Sequence, residues 1–268
     1  GTNYYITKET GKFVKQLKLP VVIVTINGAY ISKPKWRKHR IKSDVTIRIT
    51  KYLTKEEVIE KSSDEINDII NEGIRYNEFD YILENGLTFK DKKKAVGLEN
   101  VLYMCPKCHK EFKIQTSGNE IKCTECGFNL EIMENYHFNQ NELNITNIHD
   151  WYNLIKQTEL NKLDDLYLEC DVKVHKYNIE NKKLDEDGFG KCILTNKLFK
   201  FVGDLKVKEF EIDIVSLRAL AFSTGVEFEC YHDSELYYFY PLKDRAQCAK
   251  WALLVDLLVE GADTLEKQ

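Results

Sequence analysis

Four cysteines in two Cys-x-x-Cys pairs constrain this chain more than any other feature. They read Cys105-Pro-Lys-Cys108 and, after fourteen residues, Cys123-Thr-Glu-Cys126-Gly127. Each pair presents two thiolates from one tight turn, and two such knuckles supply the soft ligands that tetrahedral Zn²⁺ takes. A redox dithiol would need only one pair; an iron–sulfur cluster is the other metal reading. Four sulfur ligands leave no open coordination position, so the metal is expected to be structural zinc and not a catalytic ion. Gly127 suits the left-handed position that closes the second turn. His109 adjoins a ligand but is not expected to compete within a knuckle. Short strands at 112–114 and 119–122, joined at Ser117-Gly118, complete a zinc ribbon.

The remaining cysteines, Cys170, Cys192, Cys230 and Cys248, lie in apolar or alternating surroundings, where the free thiol behaves as a small hydrophobe. Metal-binding and unpaired core cysteines together point to a reducing, cytoplasmic compartment. The sequence contains no apolar run of about 18 residues and no secretory leader pattern at its start. At 268 residues the chain has room for two or three domains. Its net charge of −4 hides an asymmetry: residues 1–100 hold 19 Lys and Arg against 14 Asp and Glu, a balance of +5 that leaves −9 for the remainder. The excess is densest at Lys33, Lys35, Arg37, Lys38, Arg40 and Lys42, with no acid among them. Such a cluster is either a solvated loop or a partner for phosphate on a lipid or nucleic acid.

The pattern predicts an α+β multi-domain chain. Residues 1–77 read as α/β. A helix over 8–18 puts Phe13, Val14 and Leu17 on one stripe, Pro20 ends it, and Val21–Ile26 is a β-branched run of the kind buried in a parallel sheet. Val45–Ile49 alternates as a half-exposed strand. Thr54 and Glu57 form a capping box for a helix continuing through Val58, Ile66, Ile69 and Ile70. Two strands and two helices cannot close a core, so this region is expected to be the tail of a larger α/β domain. Residues 78–98 read as a polar linker, 99–135 as the ribbon, and 136–162 as a helical linker with Asp150 as cap. Residues 163–268 read as seven short strands, at 167–174, 190–194, 198–202, 207–212, 216–222, 226–231 and 236–240. Turns are expected at Asp187-Gly188, Thr195-Asn196, Gly203-Asp204, Thr224-Gly225 and His232-Asp233. A helix over 243–260 closes the chain. The tyrosines at 231–240 read as strand packing, and His175 and His232 as loop or edge residues.

Seven strands and one closing helix resemble a PH-like or GRAM-like barrel. The segment Gly97-Leu-Glu-Asn-Val-Leu-Tyr-Met-Cys-Pro-Lys-Cys resembles the lead into the zinc ribbon of certain bacterial phospholipid/glycerol acyltransferases, the lysophosphatidic acid acyltransferase family. Pro20-Val-Val-Ile-Val-Thr-Ile-Asn-Gly-Ala-Tyr resembles that family's proline strand, and Pro34-Lys-Trp36 with Val45–Ile49 its following loop and strand. The resemblance implies a protein that transfers an acyl group from acyl-CoA or acyl carrier protein to lysophosphatidate, in phospholipid synthesis, at the inner face of the membrane. It also implies that the catalytic His and Asp, five positions apart, belong ahead of the proline strand, so that this chain alone is expected to be inactive. Gly1 and Thr2 are then the last trace of the family's Glu-Gly-Thr-Arg phosphate-binding block, with Asn3 where Arg is expected. His39-Arg-Ile-Lys-Ser-Asp44 copies the His/Asp spacing but follows the proline strand and is read as chance. The alternative is a non-enzymatic module in which ribbon and barrel bind a lipid or a protein partner. Nucleic acid is not expected, because the ribbon's surroundings are not strongly basic and an aromatic platform interleaved with cations is missing.

Overall fold

The structure, a computed structural model, describes residues 2–3, 6–178, 183–204 and 209–265. The chain divides into two compact units. One comprises residues 1–92 with Ile132–Phe138, the other Lys93–Glu131 with residues 139–268.

In the first unit, α1 (Lys8–Leu17) is followed by β1 (Val21–Asn27), the short α2 (Ala29–Ser32), β2 (Thr46–Leu53), α3 (Lys55–Glu60), α4 (Ser63–Ile74) and α5 (Glu78–Glu84). Thr54 caps α3 through the expected reciprocal box with Glu57. The helix then breaks where one continuous helix was expected, because Ser62 and Glu65 build a second capping box that starts α4. The polar stretch after residue 77 is not all linker either: Asn77 caps α5, and Phe79 and Ile82 are buried. Ile23, Leu53, Val58, Ile66 and Ile70 form this unit's core.

The β-branched run of β1 does form a strand, but its described pairing is antiparallel, with β2 alone. One face of β1 is covered, while on β2 only Leu53 is buried. Ile23, Thr25 and Asn27 are buried, whereas the cross-strand partners Val22–Tyr52, Val24–Ile49 and Ile26–Ile47 line the other face. Each of those six retains between 41% and 71% of its accessible surface. On α1 the expected stripe is split: Val14 packs on the core, while Phe13 and Leu17 are exposed.

The second unit opens with a single 3-10 turn, Leu98–Asn100, and a small sheet of β3 (Ile114–Ser117), β4 (Glu120–Cys123) and β5 (Asn129–Glu131). Then come α6 (Ile148–Leu160), β6 (Tyr167–Asn178), β7 (Lys183–Thr195), β8 (Leu198–Gly203), β9 (Phe210–Asp213), α7 (Ile214–Leu217), β10 (Ala221–Ser223), β11 (Glu227–His232), β12 (Glu235–Pro241) and α8 (Gln247–Leu265). The seven strands β6 to β12 form one antiparallel sheet in the order β10-β11-β12-β6-β7-β8-β9. It curls into a half-barrel around an aromatic core. Phe199, Phe228, Phe239 and Trp251 of α8 are wholly buried there, the last lying 5.1 Å from the Phe228 ring in parallel stacking.

Three details depart from expectation, and a fourth lies partly outside the described residues. Asp187 and Gly188 lie inside β7, not at a turn; the glycines of this strand mark close approach, since a Cβ on Gly190 would stand 2.5 Å from the Val202 carbonyl oxygen. The expected strand 216–222 is instead the helical turn α7 followed by the three-residue β10. Of the expected strand 207–212, residues 207–208 lie outside the described residues. Finally, the α6 cap is Asn147, whose Oδ1 accepts from the amides of His149 and Asp150; Asp150 itself accepts from the Thr146 amide at 3.1 Å.

Candidate metal centre

The ribbon is built from two turns with the same hydrogen bonding. In the first, the Cys105 amide donates to Lys110 O at 3.0 Å and the His109 amide to Cys105 O at 3.0 Å. In the second, the Cys123 amide donates to Phe128 O at 2.8 Å and the Gly127 amide to Cys123 O at 3.0 Å. His109 and Gly127 are therefore equivalent, and both are left-handed, with φ of 55° and 74°. Gly127 takes that conformation at no steric cost, whereas His109 takes it as a residue with a Cβ. This is the role of His109, which stands outside the ligand cluster.

The two turns bring the sulfurs of Cys105, Cys108, Cys123 and Cys126 within 4.8 Å of one another. Across the turns, Cys105 Sγ lies 3.7 Å from Cys126 Sγ and Cys108 Sγ 3.8 Å from Cys123 Sγ. A disulfide would need about 2.0 Å. A regular tetrahedron with Zn–S bonds of about 2.3 Å has sulfur–sulfur edges of about 3.8 Å, so the cluster fits zinc. The first cysteine of each pair is buried and the second lies toward solvent. Burial pushes the Cys105 and Cys108 thiols up, while the Phe128 amide holds Cys126 down. Four thiolates packed this closely require a cation, and a divalent ion held by all four supplies it. With the shell closed by sulfur, the zinc is structural.

The ribbon's support comes from the residues leading into it. Leu98, Leu102, Tyr103 and Met104 are all buried. Trp151 of α6 donates its indole N–H to Met104 O at 2.9 Å and meets the Phe128 ring edge-on. Beneath them runs a buried polar chain that sequence reasoning missed. The Tyr103 hydroxyl bonds Glu159 at 3.1 Å, and Lys250 of α8 reaches Glu111 at 2.6 Å and Glu159 at 4.0 Å. Burial, then Glu159, raises the Tyr103 hydroxyl far above its ordinary range, so it stays a donor. Its available signal was a lysine set between Ala249 and Trp251 in an otherwise apolar helix.

The other site residues fare differently. Thr2 is exposed and forms an isolated bridge with Asn77; Gly1 lies outside the described residues. His39 does not meet Asp44; its Nε2 lies 3.7 Å from Asp91 Oδ2. His175, expected in a loop or at an edge, lies in β6 between two strands and meets Tyr240 edge-on, while His232 ends β11 beyond its pairing with β10 and stacks on Phe210. Of the tyrosines at 231–240, Tyr237 packs inward, whereas Tyr231 is largely exposed. No described helix is long and apolar enough to cross a membrane.

Residues 98–130 match the zinc-ribbon family described as DNA-directed RNA polymerase, 7 kDa subunit. The match covers the lead-in, both knuckles and the strands between them. No curated protein matches the chain.

Proposed function

We propose that this chain is the C-terminal part of a 1-acylglycerol-3-phosphate O-acyltransferase, carrying a zinc ribbon and a PH-like barrel behind the acyltransferase fold. In that reading the complete protein moves an acyl group from acyl-CoA or acyl carrier protein to lysophosphatidate. The reacting His and Asp precede α1, and Gly1 and Thr2 end the phosphate-binding block.

The observation that carries this reading is the bare apolar face of β1 and β2. Three cross-strand apolar pairs face outward on a sheet of only two strands. Burying one such side chain fully is worth roughly 1.5–3 kcal/mol, so a further layer of structure is the economical way to cover them. Two paired strands are also too few for a stable sheet, and more strands with helices over them would complete an α/β domain. The chain order agrees as well: Pro20, a strand, the Gly28 turn, a loop with buried Pro34 and Trp36, and a returning strand.

Extending the protein toward its N-terminus with the encoded upstream sequence tests the proposal. The extended protein should transfer acyl groups from acyl-CoA to lysophosphatidate, and residues 1–268 alone should not. Transfer by neither acyl donor class would overturn it. It would leave the second reading, a ribbon-and-barrel binding module, which is favoured by a family match confined to residues 98–130.

A further inference from the structure

The cationic loop between α2 and β2 is held in a defined shape. The Ile41 amide donates to Ser32 O at 2.9 Å, closing the loop at its base, and the Arg37 amide donates to Pro34 O at 3.0 Å. Pro34, Trp36 and Arg37 turn inward. The Arg37 guanidinium is buried: it donates to Ile31 O at 3.3 Å, bonds the Tyr136 hydroxyl and stands 3.5 Å from Asp91. With these three residues inside, Lys33, Lys35, Lys38, Arg40 and Lys42 are all exposed.

The fold adds what the sequence keeps apart. Asp91, engaged by Arg37 and His39, carries its exposed neighbours Lys90 and Lys92 to the same loop. This unit thus presents seven exposed cations, five on the loop and two flanking a carboxylate that faces an internal arginine. Trp36, the one Phe, Tyr or Trp among residues 33–42, is buried, and the one exposed ring, His39, lies against Asp91 at 3.7 Å. The surface therefore offers charge without a stacking platform, which suits a plane of anionic headgroups better than a single-stranded nucleic acid.

We infer that residues 33–42 with Lys90 and Lys92 form a docking surface for anionic lipid headgroups. The choice of a lipid plane rests on the acyltransferase reading, whose acceptor is itself an anionic lipid. Each cation near such a surface strengthens binding on the order of fivefold, so the docking is additive over many weak contacts and sensitive to salt.

Cosedimentation with vesicles tests this without catalysis. The protein should sediment with phosphatidylcholine vesicles that contain phosphatidylglycerol, and not with phosphatidylcholine alone. Rising salt should release it, and inorganic phosphate at matched ionic strength should not compete further. Lys38→Glu with Arg40→Glu reverses two exposed charges and should lower the partition coefficient by about tenfold or more. Unchanged sedimentation of that variant, equal binding to neutral vesicles, or tighter capture by a single-stranded oligonucleotide would overturn the inference. Failure here beside acyl transfer by the extended protein rejects the docking surface alone. Vesicle binding without acyl transfer rejects the enzymatic reading alone.

Discussion

At the scale of single residues, the ribbon shows two solutions to one backbone requirement. Position five of each knuckle is left-handed; the second turn fills it with Gly127 and the first with His109. A residue with a Cβ in that region costs roughly 1–2 kcal/mol relative to its ordinary conformation. His109→Gly should therefore leave zinc affinity unchanged or tighten it slightly, while Gly127→Ala should weaken it by up to about tenfold; competition against a chromophoric chelator reads both. Loss of zinc in His109→Gly would instead make His109 a ligand. The four ligands and Gly127 were legible because a metal site demands fixed residue types at fixed spacing. The α6 cap was not, because Asn147 and Asp150 are both capable acceptors. The choice between them turns on Asp150 bonding Thr146, which is a matter of geometry.

At the scale of elements, α8 is where ribbon and half-barrel meet. Its Trp251 fills the barrel core, and the adjacent Lys250 pairs with Glu111 beside the ribbon and approaches Glu159 of α6. Removing one partner from such a cluster leaves the others buried without compensation. Lys250→Met is expected to destabilise this unit by about 3–5 kcal/mol, read by denaturant unfolding of the zinc-loaded protein. A loss under about 1 kcal/mol would mean that the cluster is solvated like a surface pair. Chelating zinc should, by the same connection, raise hydrogen exchange in α8 as well as in β3 to β5. The strands and closing helix were legible from alternation and length. The departures fall where tertiary packing overrode a local signal. Gly188 sits in mid-strand because β7 passes close to the chain that follows β8, and α7 interrupts what reads as one strand. In the first unit, Ser62 and Glu65 were legible in principle, since their spacing repeats that of Thr54 and Glu57.

At the scale of the whole molecule, the second unit surrounds a well-filled core, whereas the first leaves half of its small sheet bare. The sequence predicted no closed core here, whereas Ile23, Leu53, Val58, Ile66 and Ile70 do form one. What it did not disclose is the direction of pairing. The run Val21–Ile26 reads equally well as parallel or antiparallel, and only the register with β2 shows which of its side chains face outward together. In the proposed reading, that outer face is what a segment ahead of α1 would cover, with the zinc serving as scaffold. Hydrogen exchange measured on β1 and β2 tests this most directly, in residues 1–268 and in the protein extended upstream. Slower exchange across Val22–Ile26 and Ile47–Tyr52 in the extended protein is the predicted result. Equal exchange in the two proteins would mean that the face stays open to solvent, contradicting the account.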